Sequence, residues 1–388
     1  MADTAVAIRS PRTVVAVATL FASNGLVLGA YGGVLPALRE RLGIDDAALS
    51  VLLVGVGIAA VLSMQVGGRL ADRRGARGVA LASMPLMSAG TLVMALAPNL
   101  AVAVAGGALL GLGNGTMDVA MNAVAVQVER ARGGPMMSRF HAFWSIGAFT
   151  GAGIVLLVSR LVDAAASLVA PSLLVVSVLA LAALALTVRA TPHVAPVSHH
   201  VDGLRTPVPR VAWLLGAMAV CFGLTEGTAM DWSAIHVTDV AGTGAGAGAV
   251  GLVCVSAFMV LVRLFGDRAV GRFGRRVVVR CGALTAMAGY AVTVAFSALP
   301  VILAGWSLVG LGVGLVAPQI YGAAGHIGGG RMLAVVVTFG YAAFLAGPAL
   351  IGWLVHLWGV QHAMVLPLVL AVGLVVLVRW MPQVPQDD

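Results

Sequence analysis

Three carboxylates stand in stretches that are otherwise glycine and hydrocarbon. Asp118 lies in GLGNGTMDVAMN (111–122), with Asn114 four residues before it and Asn122 four after, so the three share one helix face. Glu226 lies in GLTEGTAMDW between Gly223 and Gly227, and Asp231 follows five residues later. A carboxylate that passes between water and an apolar interior takes up and releases protons, and it can hold a solute rich in hydrogen-bond donors or positive charge. Asp118, Glu226 and Asp231 are therefore the candidates for proton coupling. Asn24, Tyr31, Asn114, Asn122, Trp144, Gln319, Tyr321 and Tyr341 join Asp118 and Glu226 as candidate lining of a solute cavity, with Trp144 and His141 expected at the start of a span, near the membrane interface. Cys221, Cys254 and Cys281 are widely separated and show no metal-ligand spacing, and the chain has no lysine for a phosphate-binding loop, so no metal or cofactor is expected.

The elements that must position these residues follow from composition. Sixty per cent of the 388 residues are hydrophobic and 10% are charged, and mean hydropathy is +1.02. A water-soluble chain could not hide that much apolar surface, so the solvent is lipid. A span needs about 20 mostly apolar residues. The sequence predicts twelve such segments, from 12–38 to 363–381, including 246–265, 300–321 and 332–355. MADTAVAIRSPR runs into the first of them without a small-residue cleavage site. All 23 basic residues are arginine, and twenty, counted with the cluster 263–280, fall on one side of this topology. Arg39, Arg41 and Arg160 fall on the other. That asymmetry places both termini and the central loop in the cytoplasm, and it explains the basic charge as orientation, not nucleic-acid binding. Counting about 1.5 Å per residue back from Glu129 puts Asp118 near mid-depth. Trp232 reads as a member of the interfacial aromatic belt.

GLGNG (111–115) recurs as GLGVG (310–314), an offset of 199. The same offset lays GRLADRRGAR (68–77) on DRAVGRFGRR (267–276), matching Arg69 with Arg268, Arg73 with Arg272 and Gly75 with Gly274. The chain is thus two homologous halves of six spans in the same orientation, 1–189 and 210–388, joined by a cytoplasmic linker at 190–209. Gly107, Gly111 and Gly115 share one face, as do Gly310 and Gly314, and let backbones pack closely. The acids are not duplicated: Asp118 aligns with Ala317 and Glu226 with Val27.

On these motifs the sequence resembles the major facilitator superfamily over nearly its full length. Gly68-Arg69-Leu70-Ala71-Asp72-Arg73-Arg74-Gly75-Ala76-Arg77 is similar to that family's loop between spans two and three. DVAMNAVAVQVER (118–130), SRFHAFWSIGAFTGAG (138–153), EGTAMDWSAIHV (226–237) and GYAAFLAGP (340–348) resemble its YbjJ-like bacterial branch, whose relatives include a membrane protein associated with rhizopine metabolism. The resemblance implies an all-α membrane protein of twelve helices in two parallel six-helix bundles, set in a bacterial inner membrane, with a solute site at mid-depth between the bundles. It implies gating by Gly68, Asp72, Arg73, Gly75 and Arg77 and their counterparts Asp267, Arg268 and Arg272, with Asp72 latching onto the start of span eleven near Met332 and Arg73 and Arg77 setting topology and binding lipid phosphate. The counterpart of Asp72 is Gly271, so the second half lacks the matching acid. Span four has no arginine and span five no Gly-Pro pair, unlike typical multidrug antiporters of the family.

The expectation is a secondary active transporter, working as a monomer by alternating access and driven by protons. Two acids without an internal lysine or arginine suit a small neutral or cationic solute. The rhizopine-associated relative favours export, with uptake of a sugar-like solute as the alternative. A non-transporting receptor built on the same fold is the reading from another class, and nothing in the sequence suggests an enzyme.

Overall fold

The computed structural model describes residues 10–132, 136–192 and 209–382. The helices are α1 (Pro11–Leu42), α2 (Asp46–Arg74), α3 (Ala76–Ala95), α4 (Leu100–Arg132), α5 (Met137–Val158), α6 (Ala165–Thr187), α7 (Arg210–Val240), α8 (Val250–Phe273), α9 (Arg275–Ala295), α10 (Leu299–Val313), α11 (Val316–Ala363) and α12 (Val365–Leu377), with single 3-10 turns at Ala247–Ala249 and Val378–Trp380. Among the described residues no strand occurs. Among the described residues eleven segments are long and apolar enough to cross a membrane, and the shorter apolar helix Val365–Trp380 stands in twelfth place. Helices are the expected solution in lipid because each satisfies its own backbone.

Two boundaries differ from the sequence reading. Segments 300–321 and 332–355 were expected as separate helices, but α11 is helical without interruption from Val316 to Ala363, spanning the end of one apolar stretch and the whole of the next. The break falls earlier, at Gly314–Leu315, inside what was expected to be a single span. Most of the linker, with its histidines 193, 199 and 200, lies outside the described residues.

The helix ends are closed by side chains from neighbours, which accounts for several of the few charges present. Ser10 and Asp45 cap α1 and α2 through Thr13 N and Ala48 N. The Glu129 carboxylate accepts from the backbone N–H groups of Met136 and Met137 at the start of α5, where a helix dipole favours negative charge. Arg41 donates to the carbonyls of Met94, Ala95 and Ala97 at the end of α3. Gly75 and Gly274 end α2 and α8 with φ of 89° and 79°, a region an L side chain rarely enters.

The chain divides into two compact units, Met1–Val201 and Asp202–Asp388. In the first, α1 packs on α5 and α4 on both α2 and α3; in the second, α7 packs on α11 and α10 on both α8 and α9. These are the same pairings six helices apart, and the repeat extends to single contacts. A Cβ at Gly111 would lie 2.2 Å from the Val56 carbonyl, and one at Gly310 would lie 2.2 Å from the Val255 carbonyl. Gly113 lies against Met87 N as Gly312 lies against Ala286 N. Every member of these pairs is offset by 199 residues. Small residues here let helix backbones touch, which is how helices associate where lipid removes the hydrophobic drive.

Candidate functional site

In the first unit the sequence-predicted polar residues converge on Asn24, which is 1% exposed near the middle of α1. Its amide nitrogen donates to Asn114 Oδ1 on α4 at 2.9 Å and makes a longer contact, 3.5 Å, with Met87 Sδ on α3. Its amide oxygen accepts from the Trp144 indole N–H on α5 at 2.7 Å. One asparagine thus ties four helices together. Trp144 is therefore at the depth of Asn24, not at the membrane interface as the sequence suggested. α5 begins at Met137, and Gly25, Gly29, Gly147 and Gly151 allow α5 to lie directly on α1. His141 packs edge-on against Phe21, one turn nearer the helix start.

Asp118 follows Asn114 by one turn and is half-buried. The Asn122 amide donates to its backbone carbonyl at 2.8 Å and to its carboxylate at 3.2 Å. Asn114, Asp118 and Asn122 so form a column of alternating amide and acid along α4, anchored at one end on Asn24. Tyr31 lies two turns along α1 from Asn24, 5% exposed.

In the second unit Glu226 is not an isolated acid. Arg263 on α8 donates to its carboxylate at 3.2 Å, and each residue is 8% exposed. The expectation that the interior holds no arginine, with Arg263 counted in the cytoplasmic cluster, is corrected by this pair. Arg263 lies within the apolar part of α8, inside the span Ala247–Gly266. Its Nε also donates to the Gly314 carbonyl at 2.9 Å. The reason is local: the N–H that would close a helical bond to Gly314 O belongs to residue 318, a proline, which has none. Arg263 supplies the missing donor at the break between α10 and α11. Beside it, the Tyr290 hydroxyl donates to the Thr225 carbonyl at 2.5 Å. Sequence reasoning missed Arg263, although Pro318 four residues after a buried glycine was a signal for an outside donor.

Asp231 is half-buried, further along α7 than Glu226. Trp232 is fully buried and so does not belong to a lipid-facing belt; Trp213, Trp353, Trp358 and Trp380 are the exposed tryptophans. Gln319 is 7% exposed just after the helix break. Tyr321 points its hydroxyl at Gly340, where a Cβ would stand 2.2 Å from it, and Tyr341 is the next residue.

Of the loop residues, Asp72, Arg73, Arg268 and Arg272 are exposed and Gly68 is half-buried. Arg272 lies over the Phe273 ring at 5.5 Å. The side chain of Asp267 lies outside the described residues. Arg77, expected at the level of lipid phosphate, donates to the carbonyls of Val188 and Thr191 beyond the end of α6, both at 2.8 Å. Arg276, its repeat counterpart, donates to the Val378 carbonyl beyond α12 at 3.1 Å. Each half thus ties the start of its third helix to the end of its sixth. Among the described residues no group of three or more His, Cys, Asp or Glu could hold a metal ion.

A model of the Major Facilitator Superfamily matches residues 17–326. The chain is 34% identical over 354 residues to the transporter y4wD of Sinorhizobium fredii, covering 87% of this chain and 90% of that one. It is 32% identical over 340 residues to an MFS-type transporter of Yersinia pestis, covering 86% of each. The solved structure of a D323A mutant of the nucleoside transporter NupG superposes with a TM-score of 0.72 at 12% identity, covering 94% of this chain and 97% of that one, a likeness of fold. These matches carry the superfamily as a whole and do not distinguish the YbjJ-like branch. With two units that repeat the same helix pairings, and relatives named as transporters over most of their length, this multi-pass membrane protein belongs to the Major Facilitator Superfamily of transporters.

Proposed function

We propose that the protein is a proton-coupled secondary transporter that moves a small neutral or cationic solute across the bacterial inner membrane by alternating access. The observation that carries this reading is the column on α4. Asp118 sits midway along a membrane-crossing helix, with the Asn122 amide on its carboxylate and Asn114 tied to Asn24 one turn away. A charge at that depth costs roughly 2.5–3.5 kcal/mol on insertion scales, and such residues face bundle interiors or water. The repeat supports it, because the glycine scaffold around Asp118 is duplicated and the acid is not.

The pairing of Glu226 with Arg263 refines the roles. Together the two carry no net charge, so Glu226 does not by itself recruit a cation. Asp118, with the amides of Asn114 and Asn122, is the group that meets the solute, and Glu226 is the group whose proton changes the balance of the second half. The same chemistry suits polyols, amines and other solutes rich in hydrogen-bond donors. Both termini lie in the cytoplasm by the arginine distribution, the chain works as a monomer, and export is the direction to test first, with uptake of a sugar-like solute as the alternative.

The test is solute flux in proteoliposomes under an imposed pH gradient, for a ligand first found by thermal shift among amines, sugars and cationic drugs. Asp118→Asn should abolish binding of that ligand. Glu226→Gln should keep binding and lose the dependence of flux on the gradient. If both variants transport with unchanged pH dependence, the assignment is wrong.

A further inference from the structure

Three residues of the second half differ from the first half as a set. Glu226, Arg263 and Pro318 have Val27, Met64 and Val119 at the repeat offset. In the first half α4 runs unbroken from Leu100 to Arg132, through the position equivalent to the break. In the second half the break at Gly314–Leu315 coincides with the proline, and the carbonyl the proline leaves without its helical donor is the one Arg263 caps. The same guanidinium holds Glu226. A helix discontinuity, its cap and an acid are therefore joined through one side chain.

We propose that Arg263 is a releasable cap on the broken helix, held on the Gly314 carbonyl while Glu226 is ionised and let go when Glu226 takes a proton. Around Glu226, α8 contributes Arg263, α9 the Tyr290 hydroxyl on the adjacent Thr225 carbonyl, and the break after α10 the Gly314 carbonyl. α11 places Ala343 and Phe344 against Gly223 and Gly227, and α12 places Gly373 against Cys221. Asp231, His236 and Asp239 lie further along α7. The guanidinium is thus the charge set closest to this acid, and it cannot give up its own proton. When Glu226 is neutral, a buried cation loses a counter-charge and its best alternative is to move towards water. Moving, it leaves the Gly314 carbonyl, and the joint between α10 and α11 loses the bond that fixed it. Arg263 is a positioning residue in this scheme: it need not touch the solute, and it converts a proton on α7 into freedom at a joint on another helix. The scheme rests on the proton-coupled reading of Glu226 for its physiological meaning, but its test does not measure transport.

That test is amide hydrogen exchange of the full chain in detergent, read on a peptide covering 310–322. At each pH the wild-type rate is divided by that of Pro318→Ala, in which the restored N–H at position 318 closes the helical bond and makes the cap dispensable. Intrinsic exchange cancels in that ratio. The ratio is expected to rise about tenfold between about pH 8 and about pH 5, the scale of one lost charge-assisted bond. Glu226→Gln should show the raised ratio already at the higher pH, and Glu226→Asp should keep the wild-type response. A flat ratio across the range overturns the proposal, and so does wild-type exchange in Glu226→Gln at the higher pH. Should Glu226→Gln fail to fold, the wild-type ratio alone decides. Loss of gradient-driven flux with an intact exchange response would sink the transport reading and leave the joint standing; the reverse result would do the opposite.

Discussion

Removing one member of the buried ion pair should cost far more than removing both. Glu226 and Arg263 approach to 3.2 Å with each residue 8% exposed. At that separation the Coulomb attraction is about 5 kcal/mol for an effective dielectric near 20. Desolvation offsets much of it, so the pair adds little net stability while each half of it depends on the other. Arg263→Met or Glu226→Leu alone should therefore destabilise by about 3–5 kcal/mol. The double variant Glu226→Leu/Arg263→Met should lose only about 1–3 kcal/mol, because what remains is the Gly314 carbonyl without its donor. Adding Pro318→Ala restores an N–H to that carbonyl, and the triple variant should return to within about 1 kcal/mol of wild type. The single variants should also differ in pH response. In Arg263→Met protonation relieves the lone buried charge, so its penalty should shrink as pH falls. In Glu226→Leu the guanidinium stays charged at every accessible pH, and the penalty should not move. The assay is equilibrium unfolding in mixed micelles, read as a thermodynamic cycle. Additive single-variant costs in the double variant, or a triple variant no better than the double, would refute the argument that one guanidinium serves both partners.

Asn24→Ala removes the partner of both Asn114 and Trp144 and should cost about 1–2 kcal/mol, since interhelical bonds in membranes average about 0.6 kcal/mol each; unfolding midpoints and the emission of Trp144 report it, and an unchanged protein would mean the three side chains do not depend on one another. Gly111→Ala and Gly310→Ala place a Cβ 2.2 Å from a backbone carbonyl, so each should lose about 1–3 kcal/mol or fail to fold. Gly78→Ala and Gly271→Ala, with no atom within 4 Å of the added carbon, should be no worse than neutral by the same unfolding assay. Arg77→Ala loses two carbonyl contacts and Arg276→Ala one, so the first should be the more destabilising, and lysine should not restore either site because it lacks the planar fork.

Much of this architecture was legible because it rests on periodicity and repetition. Most of the apolar segments appear as single helices, with α10 and α11 the exception, and the 199-residue offset and the glycine faces reappear as pairings and matched backbone contacts. Asn24, Asn114 and Trp144 are all candidates for a cavity lining in the sequence, without any link among them, and the structure joins them. What could not be read were facts decided by a partner far along the chain. Arg263 stands near the end of an apolar run, where a count of arginines treats it as a topological marker; only Glu226, 37 positions earlier, and the proline-orphaned carbonyl of Gly314 make it an interior residue. Trp232, expected in the interfacial belt, is fully buried. The depth of Trp144 depended on how closely α5 lies on α1, which four glycines set together.

The two halves keep one scaffold and fill it with different chemistry. The first-half node of Asn24, Asn114 and Trp144 corresponds to Gly223, Val313 and Ala343, which pack without polar atoms. The second-half set of Glu226, Arg263 and Pro318 corresponds to Val27, Met64 and Val119, equally undemanding. Neither set can be assembled one residue at a time without a penalty. A buried amide, guanidinium or carboxylate without its partners costs more than the apolar residue it replaces. Each set is therefore all present or all absent within its half. In the proposed scheme one unit meets the solute through Asp118 and the amides of Asn114 and Asn122, without an ion pair to break. A balanced charge pair sits in the other, between α7 and α8, and its arginine also holds the carbonyl at the break between α10 and α11, the joint at which the proposed proton would upset the balance. A transporter that must recognise a solute and respond to a proton has reason to keep those tasks on separate copies of the repeat, since a carboxylate satisfied by an arginine is a poor solute ligand and an acid engaged with solute is a poor switch.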